Sequence, residues 1–494
     1  MPPPASLNIC FIASEITPLA KTGGLADVAG ALAKYLHADG HDIRVFVPLY
    51  RQIERRNLEL WPVDFLRDIP LQLGAHSLSF SVQTTRLPGS QAMVYLIDAP
   101  ALFGRERIYD TAPDEHLRFI LLTHAALLCC QRMGFAPHIL HCNDWHTGFA
   151  PLLLKTTYAW DRLFRGTRSL MSIHNLAYQG VLAASAVADI GLGSAAHMLD
   201  GGELHAGRVN PLREGIAHAD AISTVSPTYA LEIQTPEYGY GLDGLLRGRA
   251  ASLSGILNGV DYEEWDPRTD RFLPRHFDAG KLDNKRALKR NLMQQLGLAS
   301  APRQRTALLG MVSRLASQKG FDLVMAALPA LLARRRFCVA VLGSGDERYE
   351  EFFRQLAAAH PTRVHFRAGY SEEHAHWIEA ASDLFLMASR YEPCGLNQMY
   401  SLRYGTIPVV RRTGGLNDSV RHFDPATGQG TGVVFNDYDA GAVTWGVETA
   451  LDWYADKALW QKLMANAMAE DFSWQRRVGD YVVLYRRMLA GAQV

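Results

Sequence analysis

Arg314 and Lys319 stand five positions apart in SRLASQKG, directly after the apolar run 308–312. Two fixed cations at a strand end could stabilise a departing diphosphate without any proton transfer. The competing reading is a solvated pair on a surface turn, since isolated exposed cations are ordinary. Glu392 lies in Tyr391-Glu392-Pro393-Cys394-Gly395-Leu396, flanked by a proline and a glycine. A carboxylate there could accept hydrogen bonds from sugar hydroxyls or stabilise positive charge developing at an anomeric carbon. It could equally be a helix N-terminal acid complementing the dipole, with Cys394 a small buried neighbour. Lys21-Thr22-Gly23-Gly24-Leu25-Ala26-Asp27 leads into a helical stretch, and paired glycines let backbone N–H groups approach an anion at the positive helix end. Thr413-Gly414-Gly415-Leu416-Asn417-Asp418 repeats that type in the second half. Either loop alone could be only a tight strand-to-helix turn. His138, His141, Cys142, Asp144 and His146 form the densest group of potential metal ligands, but their alternation is not a zinc spacing. Asp144 and His174 are read instead as polar groups holding hydroxyls, against the alternative that His174 is a satisfied core histidine.

These residues need a scaffold that gathers strand ends. Short β-branched runs alternate with longer amphipathic stretches, the pattern of parallel strands joined by crossover helices, so the fold class is α/β. Strands are expected at 7–13, 43–48, 93–98, 139–142, 170–175 and 221–225, then at 308–313, 338–343, 364–368, 384–388 and 407–410. Residues 258–275, rich in turn formers and charge, read as a hinge between two doubly wound sheets. Val478, Tyr481, Val482, Tyr485 and Leu489 recur at helical spacing across 474–489, but periodicity does not say which sheet that helix covers. Ligands of open α/β sheets sit beyond the carboxyl ends of the strands, where the segments named above fall.

Composition narrows the function classes. A chain of 494 residues exceeds one ordinary core. Its 50 basic and 50 acidic residues cancel, which argues against a surface built for nucleic acid or an acidic membrane. No run is apolar and long enough for a membrane helix and no signal peptide is recognisable, so a cytoplasmic location is expected. The six cysteines show no paired spacing and read as reduced and mostly buried.

KTGGLADV, HCNDWH, HNLAYQG, TVSPTYA, ILNGVD, RLASQKG, EPCGLNQ and RTGGL fall in order between residues 21 and 416. Together they resemble the glycogen and starch synthases of bacteria and plastids, over nearly the whole chain. The resemblance implies a GT-B fold: two Rossmann-like doubly wound domains with an interdomain cleft, at 1–255 and 256–473, and a helix at 474–494 crossing back to the first. It implies an ADP-glucose-dependent α-1,4-glucosyltransferase acting with retention on a glycogen acceptor, without metal or cofactor. The same fold with a UDP-glucose donor is the alternative. Lys21, Arg314 and Lys319 match the residues holding the donor diphosphate, aided by N–H groups of Gly24, Gly415 and Leu416 in the loops that include Thr413 and Gly414. Asp27 matches a residue fixing its loop near the sugar. Asp144, His174 and Asn175 match glucose-contacting positions, the histidine carbonyl lying near the anomeric carbon. Glu392, Cys394, Gly395 and Leu396 match the motif whose glutamate binds sugar hydroxyls, and Tyr370 the position packing on adenine. Glu392, His174, Lys319, Arg314 and Lys21 are thus the expected catalytic set. A nicotinamide oxidoreductase is the rival enzyme, but Gly343-Ser344-Gly345 lacks the third glycine of that fingerprint. A noncatalytic glucan binder would have no use for all four of Lys21, Arg314, Lys319 and Glu392.

Overall fold

The computed structural model describes residues 4–56, 58–298 and 306–491. The chain forms two compact units, one comprising Met1–Val225, Ala230–Ile256 and Trp474–Val494, the other Ser226–Tyr229 and Leu257–Ser473. Among the described residues no helix is long and apolar enough to cross a membrane.

The first unit is built on parallel strands β1 (Asn8–Ile12), β2 (Asp42–Pro48), β3 (Met93–Asp98), β4 (Ile139–Asn143), β5 (Arg168–Ile173), β6 (Ala221–Thr224) and β7 (Leu253–Gly255). Their order across the sheet is β3-β2-β1-β4-β5-β6-β7. The strands read as near-continuous apolar runs because helices cover both faces of such a sheet. In β1 only Asn8 is not fully buried. Helix α1 (Gly24–Ala38) buries Leu25, Val28, Ala29, Leu32 and Leu36, one face at helical spacing. An antiparallel edge that the sequence reading missed extends the sheet: His76–Arg86 pairs with β3, and Trp61–Pro62 and Ile69–Leu73 pair with it in turn. Its residues alternate between buried and exposed only in part, which blurs the period of two.

The C-terminal helix Trp474–Leu489 buries Val478, Tyr481, Val482, Tyr485 and Met488 within this first unit. The Tyr485 hydroxyl lies 2.8 Å from Nδ1 of His141 on β4. His141 Nε2 lies 2.6 Å from Ser172 Oγ on β5, and that hydroxyl 2.6 Å from Ser223 Oγ on β6. A polar ladder therefore crosses three buried strands and ends on the helix, each group finding a partner as burial demands.

The second unit repeats the arrangement with β8 (Ala307–Val312), β9 (Phe337–Gly343), β10 (Val364–Ala368), β11 (Leu384–Met387), β12 (Ile407–Arg411) and β13 (Val433–Phe435), ordered β10-β9-β8-β11-β12-β13. All neighbours are parallel. The short strands β7 and β13 were not expected from sequence. Residues 258–275, read from sequence as a hinge between the two sheets, fall within the second unit, and part of the segment packs into its core. Trp265 stacks on His376 with ring centroids 3.6 Å apart and on Tyr400 at 3.9 Å. The buried Asp270 accepts from the Tyr404 hydroxyl at 2.6 Å and lies 2.8 Å from His376 Nδ1. Of the charged residues in that stretch, Asp266 and Asp270 are buried and paired, while Glu263, Glu264, Arg268, Arg271 and Arg275 are exposed. Strand order reverses direction between β1 and β4 in the first unit and between β8 and β11 in the second, the places where open α/β sheets bind ligands.

Candidate active site

In the second unit the loops after β8 and β11 bring two expected site residues into direct contact. Lys319 Nζ donates to both oxygens of Glu392, at 2.8 and 2.7 Å. Ser389, one turn before, donates to Glu392 Oε2 at 2.9 Å. Glu392 is 4% exposed, so its charge is tolerable only because a cation and a hydroxyl meet it. A pocket opens beside the pair, lined by Ser313, Lys319, Ser389, Gly395, Leu396 and Asn397 among others. Gln398 stitches its wall, donating to the carbonyls of Cys394 and Gly395 at 3.1 and 3.0 Å. Arg314 sits on the same loop as Lys319 and is exposed, while Cys394 is buried as a small core residue.

The two glycine pairs differ in kind. A Cβ on Gly414 would meet the Glu392 carbonyl oxygen at 1.9 Å, and one on Gly415 the Cys394 oxygen at 2.1 Å. Gly414 also takes φ +41, a conformation glycine favours. Gly415 N–H donates to Glu392 O at 3.0 Å and Leu416 N–H to Thr413 O at 3.1 Å. The amides expected to cradle a diphosphate are thus bonded to the chain itself, because this turn packs against the Glu392 loop. At Gly23 and Gly24, in contrast, a Cβ would meet no atom within 4 Å. Packing does not demand glycine there.

In the first unit the loop after β1 is held by a residue the sequence reading missed. Glu15, 3% exposed, accepts from the backbone N–H of Thr22, from the Thr22 hydroxyl at 2.7 Å and from Gly23 N–H at 3.1 Å. Tyr109 donates at 2.5 Å to Oε1, the oxygen that also accepts the Thr22 hydroxyl, while both N–H groups meet Oε2. Nothing in the motif spacing announces Glu15; its position directly after β1 is the only signal. Lys21 pairs with Asp27 at 2.7 Å, and Thr17 donates to the same carboxylate at 3.1 Å, so Asp27 fixes the loop from the first turn of α1.

Asp144, at the end of β4, adopts φ +52, which is uncommon for a residue with a side chain. Such strain persists where surrounding bonds over-determine the backbone. Its Oδ1 accepts His174 N–H at 2.7 Å. Burial pushes the Asp144 carboxyl up to about 7, opposed in part by the N–H groups of His174 and Asn175. Asn143 Nδ2 donates to Ile12 O at 2.9 Å, so its Oδ1 faces His174 and accepts from Nε2, also at 2.9 Å. His174 Nδ1 is then an acceptor, buried and without a hydrogen-bond partner among the described residues. A ligand hydroxyl would satisfy it. Burial pulls the imidazole down to about 3, so it is neutral at physiological pH. Asn175 spends its Oδ1 on Ala177 N–H at 3.1 Å, a local turn rather than an outward contact. The remaining members of the dense histidine group are dispersed: His138 accepts from Asn8 N–H at 2.8 Å, and His146 stacks on Tyr109 with centroids 4.9 Å apart. Tyr370, after β10, is 65% exposed and donates to Glu372 at 2.6 Å.

Two family models match the chain: the starch synthase catalytic domain over residues 8–248 and the glycosyl transferases group 1 over 299–465. A glycogen synthase of Anaeromyxobacter sp. (strain Fw109-5) is 46% identical, over 98% of this chain and all of that protein. One from Koribacter versatilis is 43% identical, over 97% and 98% of the two chains. Among solved structures, the catalytic domain of starch synthase IV from Arabidopsis thaliana, bound to ADP and acarbose, superposes with a TM-score of 0.90 at 33% identity. That match covers 98% of this chain and 100% of the plant domain. A sucrose-phosphate synthase from Thermosynechococcus elongatus, at TM-score 0.61 and 17% identity, shares the fold alone.

Proposed function

This chain belongs to the glycogen and starch synthase family, and we propose that it transfers glucose from ADP-glucose, with anomeric configuration retained, to the non-reducing 4-hydroxyl of an α-1,4-glucan in the cytoplasm. The observation that carries the reading is the Lys319–Glu392 pair at the strand-order reversal of the second unit. Lys319 lines the pocket there and holds the Glu392 carboxylate, a cation and an acceptor suited to a phosphate oxygen and to sugar hydroxyls. The ADP in the similar starch synthase supports an adenine nucleotide, and the exposed Tyr370 ring supplies a face for the base.

In the proposed step the bond from the anomeric carbon to the diphosphate breaks on the same face on which the acceptor 4-hydroxyl attacks. The hydroxyl proton passes to a departing phosphate oxygen. In the second unit Lys319 and Arg314 are the cations suited to the charge on the leaving diphosphate, and in the first unit Lys21 is; no metal or cofactor enters the step. Groups suited to accept from sugar hydroxyls are Glu392 in the second unit and Asp144 and Nδ1 of His174 in the first, where the peptide that carries the His174 carbonyl turns its Asn175 N–H towards Asp144 at 3.5 Å. Being neutral, His174 acts as an acceptor and not as an acid.

The test mixes the chain with glycogen and equimolar ADP-glucose and UDP-glucose, and follows nucleotide release and glucan extension. ADP release at least tenfold faster, with new α-linkages by proton NMR, is expected. Equal use of UDP-glucose would move the donor to the alternative, and no nucleotide release would remove the transferase reading.

A further inference from the structure

We propose that the second unit carries a binding site for a zinc-class divalent cation, formed by Glu264, Glu372 and His376 and oriented by Asp270. The three candidate ligand atoms lie within 4.8 Å of one another. Helix α2 (Glu372–Ala381) supplies Glu372 and His376 at i and i+4, hence on one face. Glu264 comes from the segment that precedes Trp265.

The histidine is what distinguishes this group from an ordinary acidic cluster. His376 is fully buried, and its ring is clamped by Trp265 at 3.6 Å, nearly parallel at 15°, and by Phe272 at 4.7 Å. Its Nδ1 lies 2.8 Å from Asp270 Oδ2, an oxygen that already accepts the Tyr404 hydroxyl. A carboxylate can only accept, so Nδ1 carries the proton and Nε2 is left with the lone pair in the neutral ring. That Nε2 has no hydrogen-bond partner among the described residues. The nearest carboxylate oxygen, Glu372 Oε1, is 3.6 Å away, beyond hydrogen-bonding range. Two ligands each about 2.0–2.1 Å from one tetrahedral zinc stand about 3.4 Å apart, so the gap matches a shared cation better than a shared proton.

A carboxylate that orients the far nitrogen of a ligating histidine is the usual support of such a site. One imidazole and two carboxylates suit a borderline cation, whereas magnesium prefers oxygen ligands and its own waters. Three protein ligands leave one position for water. The second oxygen of Glu372 holds the Tyr370 hydroxyl at 2.6 Å, so a bound cation and that tyrosine would share one side chain. The inference stands on this geometry alone and does not depend on the donor assignment.

Chelator-treated full-length protein titrated with zinc chloride by calorimetry, and with cobalt(II) followed by visible absorption, tests it. One equivalent is expected, with tetrahedral cobalt bands and a raised Tm on zinc addition. Glu264→Gln, at an exposed position that leaves the core untouched, should weaken binding at least tenfold. Less than one equivalent in the unaltered protein, or the same affinity in Glu264→Gln, would overturn the site and leave His376 as an imidazolium between two carboxylates.

Discussion

Lys319 and Glu392 satisfy each other across 2.7 Å, so each is both a functional group and the other's counter-ion. Lys319→Ala should lower kcat by about 100- to 1,000-fold, the range seen when one preorganised charge is removed from a developing anion. It also leaves a buried carboxylate unpaired, and a parallel thermal melt separates that cost from the kinetic one. Near-normal turnover in a folded variant would take the cation out of the step. Asp144 carries a pH signature. Its folded-state value of about 7 lies above the ~3.9 of an unfolded aspartate, so the native chain binds the proton more tightly. Its contribution to stability is therefore complete below about pH 4 and is lost as pH rises towards 7. In Asp144→Asn that contribution no longer varies, so the Tm of the unaltered protein should fall relative to the variant between pH 4 and 7. Parallel Tm curves would show that the carboxyl titrates as an ordinary surface acid.

At the scale of elements, the two strand-to-helix turns look interchangeable as sequence and are not. Gly415→Ala pushes a methyl to 2.1 Å from the Cys394 carbonyl and should destabilise by about 1–3 kcal/mol or more. Gly24→Ala meets nothing within 4 Å and sits in the first turn of α1, so the fold should be unchanged or slightly more stable. Donor turnover should fall in Gly24→Ala all the same, because the open space at the helix start is where a phosphate can approach backbone N–H groups. Melting curves and kinetics on both variants decide it. Equal stability losses would make both turns purely structural. The first loop owes its shape to Glu15, whose carboxylate fills the Thr22 and Gly23 amides, a role visible only once β1 and the helix are placed.

Across the whole chain, one buried tie in the first unit's core joins His141 to Tyr485, 344 residues apart. Tyr485→Phe removes a buried hydroxyl from a histidine, at a cost of about 1–3 kcal/mol, and should lower Tm by a few degrees in calorimetry. An unchanged Tm would mean that the helix is held by its apolar face alone. The parallel strands were legible because burial on both faces forces continuous β-branched runs, and the helix 474–489 because its face repeats at a period of 3.6. The edge strands around His76–Arg86 were not, since a partly exposed strand carries a diluted pattern. The packing of Trp265, Asp266 and Asp270 within 258–275 was not legible either, because charge and turn residues look the same whether solvated or paired in a core. Local order alone therefore determined the α/β class, the strand ends at which ligands gather and the residues with suitable chemistry, because these depend on neighbours in the chain. Only the tertiary structure decided that Lys319 meets Glu392, that Gly415 spends its amide on a carbonyl, that Glu15 holds the first loop and that Tyr485 of the last helix meets His141. Most of those contacts join residues far apart in sequence, and no local period encodes any of them.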